Sequence, residues 1–472
     1  MEPGLREHLV DKKKMFAPYF KVSKVEFPSG KKKKAFHCTD PVGLRKKVFE
    51  LKKIQDDSGW IPLVGIDKGK QWLKCTVEWL RLFDDISPPL KKQRVTREDG
   101  ILGTGRGKKD TGHPLLFALV ESLEEDYEDL KVLLELCNFK LLGRIMFSGD
   151  FKVYMFLLGK YLNILISIQF LQFSFRYLYL NKFAALMSNA SCYPCPFCLG
   201  FRLTYEGEDT LRTFWHIVHY GDQWTALAEG DRNEGKHYYC CVGRPLIGDG
   251  EDIPVLYVVV PPALHLKLGL NTVLKNLRLL WDDMEQWMRS NLQLDFKPYH
   301  GTTLEGGDCS HFLDNLDTVA AAIPEDCRVF LPFFTAFKKV IDGCFGMYEL
   351  DPLYKTYIAE FKTSLEAMNA ELPFIAANQK VEDKEIAGKK KRKVTTNVTV
   401  KQHTIITHVP QFCDKFGLPI GRFSEQALER SHHLWAERWK RYIVKDDERD
   451  IYDENLLKAG LEYNYDQIKI PQ

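Results

Sequence analysis

WIPLVGIDKGKQWLKCTVEWL, residues 60–80, is the stretch on which the fold turns. Trp60–Ile66 is a short apolar run, too brief for a helix. Asp67-Lys68-Gly69-Lys70 breaks it, and a second run rich in Trp, Val and Leu follows. Two such runs joined through a Lys-Gly turn read as two strands, the first ending at Asp67. FKLLGRIMFSGDFK (139–152) repeats the arrangement, a strand running into Ser-Gly-Asp with Asp150 at its end. A carboxylate at a strand end is held rigidly where water can reach it. A third carboxylate, Glu425 or Glu429, lies on a late amphipathic helix (424–443) rich in Trp and Arg. Three converging carboxylates would make a hard-oxygen site for two Mg²⁺ (or Mn²⁺) ions, which activate water and stabilise the leaving oxygen in phosphodiester cleavage. Against this, Asp beside Gly is a common turn, and the chain has 64 acidic residues, so spacing alone does not decide the matter.

Composition bounds the alternatives. The 472 residues suffice for two or three domains, or for one enzyme core with a large insertion. Hydrophobic residues make up 45% and charged residues 28%, a globular balance, and the net charge of +2 announces no polyanionic partner in bulk. The charge is patchy, however. Lys31–Lys34 and the run KKKRK at 389–393 read as nuclear localisation signals, phosphate contacts or solvated loops. Twelve cysteines without a signal peptide argue for a reducing compartment, where close pairs suggest metal rather than disulfide. The apolar stretch 154–180 is interrupted by Lys160 and Arg176, too short between them for the roughly 20 residues of a spanning helix. No membrane partner is expected.

Cys195-Pro-Phe-Cys198 has the spacing of a zinc knuckle, with Cys192 and Cys195 as an overlapping pair. Structural Zn²⁺ wants four soft or borderline ligands. His403-x4-His408, 205 residues on (403 − 198), is the best source of the other two, with His216 and His219, or Cys240 and Cys241, as alternatives. Along the chain, residues 1–58 read as basic and helical. The segment 114–137 has helical periodicity with an acidic face, 254–261 is a buried strand turning helical after Pro262, and 272–292 and 325–370 are helical.

Taken in order, these motifs resemble the catalytic core of the RAG recombinase and its Transib-type DDE transposase relatives. The closest stretch is 403–429: His403, His408-Val409-Pro410, Gly421, Ser424-Glu425 and Glu429. ALHLKLG (263–269) and KPYHGTTLEGGDCSHFL (297–313) resemble two further family segments. The resemblance implies an α/β fold, an RNase H-like core interrupted by a large, mostly helical zinc-binding insertion. It implies Asp67, Asp150 and Glu429 as catalytic Mg²⁺ ligands, Glu429 being preferred to Glu425 by its distance from His408. Cys195, Cys198, His403 and His408 would hold structural zinc. The expected divisions are a basic pre-core segment (1–58), core strands and helices (59–190), the insertion (191–408) and catalytic C-terminal helices (409–472).

The activity implied is Mg²⁺-dependent DNA cleavage with strand transfer or hairpin formation, in the nucleus, on transposon ends or target DNA. A homodimer, with or without an accessory subunit, is the expected assembly. Lys68, Lys152, Lys267 and Lys297 are the candidate phosphate contacts. The alternative is an inactive, zinc-stabilised DNA-binding protein derived from a transposase. Two departures stand out: segment 160–184 exceeds the family spacing and reads as translated intron, and few residues precede the first core strand, where the family has an end-binding domain.

Overall fold

The computed structural model describes residues 15–28, 30–56, 59–68, 71–81, 114–121, 127–149, 192–202, 207–227, 235–248, 250–297, 303–347, 349–379, 381, 393–424, 426–442 and 450–468. These form a mixed α/β protein dominated by helix. Two compact units are present. One holds the described residues up to Val260 together with those from Gln426 onward; the other spans Pro261–Ser424.

The first unit is built on a six-stranded sheet: β1 (Phe20–Glu26), β2 (Lys32–Cys38), β3 (Trp60–Lys68), β4 (Trp72–Arg81), β5 (Leu115–Glu121) and β6 (Met146–Ser148), in the order β1-β2-β5-β4-β3-β6. Every pair is antiparallel except β3 and β6, which run parallel with Gly65 opposite Ser148. The outer edge of β6 takes one further parallel contact. Phe147 N donates to Val258 O (2.7 Å) and Val260 N to Phe147 O (3.0 Å). That pairing attaches residues 255–260 to the sheet, and this unit includes them.

Helices cover both faces of the sheet. On one side lie α1 (Pro41–Leu51) and α2 (Tyr127–Cys137). Phe49 of α1 packs against Trp60 and Trp79, at ring distances of 5.5 and 6.2 Å. Asp40 caps α1 by accepting from Gly43 N (2.8 Å) and Pro41 opens it, both ordinary start signals. A third helix, α3 (Phe214–Thr225), follows the Cys195 loop and is capped by Thr213.

The second unit is helical. It comprises α4 (Ala263–Lys267), α5 (Leu270–Leu280), α6 (Met284–Leu292), α7 (Gly306–Asp314), α8 (Leu316–Ala322), α9 (Phe330–Cys344), α10 (Tyr354–Asn378), α11 (Val400–His403) and α12 (Val409–Phe416). Its core is aromatic: Phe333, Phe337 and Phe361 interlock where α9 meets α10. Chain order then returns to the first unit with α13 (Gln426–Trp439) and α14 (Asp450–Gln467).

These two helices cover the face of the sheet opposite α1. Trp72 of β4 meets Trp435 and Trp439 edge-on at 5.4 Å. The tryptophans are buried core, in keeping with their four-residue spacing on one helix face. Gly65 lets α13 approach, since a Cβ there would stand 3.2 Å from Leu428 Cδ2. Asn464 of α14 stitches the bulged part of β5, accepting from Leu116 N (2.6 Å) and donating to Leu116 O (2.9 Å).

Three expectations from sequence need correction. Residues 254–261 are not a strand: Val255–Tyr257 is a 3-10 helix, and Val259 makes a single bridge to Phe147. The described part of 1–58 is not wholly helical: Phe20–Cys38 is a β-hairpin, with only 41–51 as α-helix. Its Phe-x-Val beginning and the Pro-Ser-Gly turn carry strand and turn signals that the lysine content obscures. Segment 114–137 is not one helix. Leu115–Glu121 is a strand whose first six residues are all buried, because it lies inside the sheet between β2 and β4. A continuous apolar run of that length has no period to separate strand from helix. The apolar stretch 154–180 lies outside the described residues; no described helix is long and apolar enough to cross a membrane.

Candidate functional site

Asp67 stands at the end of β3, on the face covered by α13, with its side chain partly exposed. His432 of α13 donates from Nε2 to Asp67 Oδ2 (2.7 Å). Directly across the ladder from Asp67 is Lys74 of β4. Lys74 is fully buried, and its Nζ donates to the carbonyl oxygen of Ser431 (2.7 Å), the residue before His432. Strand β3 and strand β4 therefore each grip α13 at adjacent residues. Burial pulls the Lys74 amine down to about 6, with the nearby Asp67 carboxylate opposing that shift. Asp150 and Glu425 lie outside the described residues. The backbone of Glu429 is in α13, one turn before His432.

A second cluster gathers Cys195, Cys198, His403 and His408. All four are buried, and their ligand atoms lie within 4.8 Å of one another. This buried group can hold a metal ion. Local structure explains how each side chain is aimed. In the cysteine loop, Phe197 N and Gly200 N each point at a sulfur, Cys195 Sγ and Cys198 Sγ respectively, at 3.4 Å. Backbone donors of this kind suit thiolates, which accept hydrogen bonds strongly. Burial, reinforced by the Cys198 thiol, pushes Cys195 well above the ordinary thiol range, so without a cation the loop favours neutral sulfur.

The histidines sit in one continuous helical run in which α11 passes into α12 through a π-helical turn, Thr404–His408. Five residues advance a regular α-helix by about 500°, which would leave His403 and His408 well off a common face. The wider π turn brings them together, with their Nε2 atoms 3.1 Å apart. Pro410 follows at once; its missing N–H frees the helix from one regular bond and accommodates the bulge. The other ring nitrogens have partners: His408 Nδ1 meets Gln411 Oε1 (2.8 Å) and His403 Nδ1 meets Thr407 Oγ1 (3.4 Å). Both imidazoles thus turn Nε2 inward and keep Nδ1 tethered, the usual outer-shell arrangement of ligating histidines.

Arg212 organises the cysteine side. Its guanidinium is fully buried and donates to Cys195 O (3.3 Å), Cys198 O (3.1 Å), Tyr239 O (3.2 Å) and Cys241 Sγ (3.0 Å). Tyr239 and Cys240 both adopt left-handed backbone (φ 49° and 59°), a costly conformation for side-chain-bearing residues that the Arg212 bond to Tyr239 O helps hold.

The other candidates are accounted for separately. His216 serves the capping box of α3 with Thr213, and His219 stacks on Trp215. Cys241 accepts from Arg212. Among the candidate phosphate contacts, Lys68 ends β3 half-buried, and Lys297 is half-buried with a backbone bridge to Thr303. Lys267 is buried and donates to Ser310 Oγ (3.1 Å). Lys152 lies outside the described residues. Sequence reasoning missed His432, Lys74 and Arg212. His432 alone left a trace, lying three residues past Glu429 and so on the same helical face. Against known proteins, neither a protein-family model nor a curated protein matches this chain.

Proposed function

We propose that this chain is a DNA-cleaving enzyme of the DDE transposase and recombinase type, with an RNase H-like core, a helical insertion and a structural zinc site. The observation that carries the reading is the register of β3 on β6. Gly65 faces Ser148 in parallel, and Asp67 and Asp150 each follow their partner by two residues in sequence (67 − 65 and 150 − 148). A parallel strand pair with Asp at matched offsets in the sequence is what convergent carboxylates require. The helix that includes position 429 is tied to Asp67 itself through His432. Asp67, Asp150 and Glu429 would hold Mg²⁺ or Mn²⁺, which supplies Lewis-acid stabilisation and lowers the pKa of water.

The remaining work falls to the protein. Asp67 is fixed by its strand and by His432, so little reorganisation is needed when charge develops at the phosphate. Water attacks the phosphodiester and the 3′ oxygen departs as a hydroxyl; that hydroxyl then attacks a second phosphodiester and displaces its 3′ oxygen, in hairpin formation or strand transfer. The buried Cys195, Cys198, His403 and His408 donor set fits tetrahedral Zn²⁺, two thiolates and two imidazoles with tethered outer nitrogens. The test is nicking of a supercoiled plasmid with Mg²⁺ or Mn²⁺. Activity in the parent chain that disappears in Asp67→Ala, Asp150→Ala and Glu429→Ala supports the reading, and activity that survives all three sinks it.

A further inference from the structure

The lysine run 31–34 has no part in the metal chemistry, yet the fold gives it a definite setting. Residues 17–53 hold eleven Lys or Arg against three Asp or Glu, a net +8 (11 − 3). The whole chain is +2, so everything else together is −6 (2 − 8). A net excess of positive charge is thus carried by one structural piece, the β1–β2 hairpin with α1, while the rest of the chain is net negative.

The hairpin also runs beyond its neighbouring strand. β1 and β2 pair over seven positions, from Phe20↔Cys38 to Glu26↔Lys32. β5 pairs with β2 only at Ala35–His37. The distal pairs Lys24↔Lys34, Val25↔Lys33 and Glu26↔Lys32 therefore run past the β5 ladder as a two-stranded ribbon of about 10 Å plus its turn. Lys21, Lys24, Lys31 and Lys32 are exposed along it. Lys24 and Lys34 stand directly opposite each other, a like-charge pairing that destabilises an antiparallel sheet. Asp453 offsets part of that cost through Lys34 (2.8 Å).

We propose that the β1–β2 ribbon is a nucleic-acid-binding arm that grips duplex phosphates without reading sequence. The proposal rests on the preceding reading for its partner class but not for any metal chemistry. Lysine on an edge strand also guards against aggregation. That role is open to both strands of the ribbon, since β2 is unpaired with β5 before Ala35, but edge protection does not call for the like-charge pair Lys24↔Lys34. A two-stranded ribbon fits the major groove of B-DNA, about 12 Å wide, and lysines serve phosphates as mobile point charges. An anionic membrane is the competing polyanion. The ribbon lacks the apolar tip that insertion needs, because Phe27 at the turn is buried.

The experiment uses the full chain with a 30-base-pair duplex of arbitrary sequence, read by fluorescence anisotropy across a salt series. The triple variant K24Q/K31Q/K33Q is compared with a control of equal charge change, K131Q/K362Q/K458Q. We expect the ribbon variant to bind at least tenfold more weakly, with a log–log salt slope shallower by roughly 2 to 3, near 0.9 for each phosphate no longer neutralised. K24R/K31R/K33R should keep the parental slope, and the control should change neither quantity. Parental binding that the ribbon variant matches, or that the control weakens equally, overturns the proposal. So does binding to vesicles of 70% phosphatidylcholine and 30% phosphatidylserine without binding to duplex. Ribbon-dependent binding without metal-dependent nicking upholds the arm while the cleavage reading fails. Nicking with ribbon-independent binding does the reverse.

Discussion

His432 and Asp67 are 365 residues apart in sequence, and the imidazole Nε2 lies 2.7 Å from the carboxylate Oδ2. The contact fixes one oxygen of Asp67, and the carboxylate stays partly exposed. Outer-shell partners of ligating carboxylates typically account for 10- to 100-fold in metal affinity or activity. His432→Ala should therefore weaken Mn²⁺ binding and plasmid nicking by about that factor, with His432→Gln recovering part of it. Because both side chains are partly exposed, the melting temperature should move little. Isothermal titration with Mn²⁺ beside thermal melts checks this; an unchanged Mn²⁺ affinity in the alanine variant would leave His432 a surface contact only.

The Cys195, Cys198, His403 and His408 group predicts one zinc per chain by elemental analysis. Its ligands are buried, so the stability gained on binding should be large. Treatment with a strong chelator, or His408→Ala, should lower the melting temperature by roughly 5 °C or more. Metal should also leave as pH falls, since the thiols must be deprotonated to ligate and burial already pushes Cys195 upward. Substituting His219 or His216 should leave the zinc content at one.

How much of this was legible beforehand follows from what each signal depends on. Asp67 at a strand end was readable because Trp60–Ile66 and the Lys-Gly turn are local features. The quartet was readable in membership but not in form. His403-x4-His408 suggests ligands by residue type, but nothing in the spacing reveals that a π turn before Pro410 brings the rings together. β5 looked helical because a strand buried on both faces loses its alternation. The Lys74 and Arg212 contacts were invisible: both are long-range, and a buried lysine or arginine in sequence is indistinguishable from an exposed one.

Lys74 makes a prediction about pH. Its amine titrates at about 6 in the fold, against an ordinary 10.5 when unfolded. Between these values the unfolded chain binds the extra proton. Stability should therefore rise with pH from about 6 toward 10.5, by up to about 1.4 kcal/mol per pH unit from this group alone. Below pH 6 both states are protonated and the contribution is flat. Lys74→Met keeps the volume and removes the titration, so its melting temperature should depend less on pH over this window than the parent's. Melting curves collected every half unit from pH 5.5 to 9.5 measure the difference; parallel pH profiles would refute the assignment.

Arg212 is the residue whose loss should be least forgiving. One buried guanidinium meets three carbonyl oxygens and the Cys241 sulfur, and it holds the left-handed Tyr239 in place. Removing it takes a donor from the carbonyls of Cys195, Cys198 and Tyr239, and a buried group left unsatisfied costs about 1–3 kcal/mol. Lysine is no substitute, because a single ammonium cannot present a planar fork to acceptors on two chain segments. We expect Arg212→Lys to cost nearly as much as Arg212→Ala, on the order of 3–5 kcal/mol. Both variants should also release zinc faster to a competing chelator, since the carbonyls that Arg212 anchors belong to the two cysteine ligands. Denaturant unfolding of the zinc-loaded protein with a colorimetric zinc-release assay separates the outcomes. A lysine variant that retains parental stability and parental release would show that the charge, and not the fork, is what the cysteine loop needs.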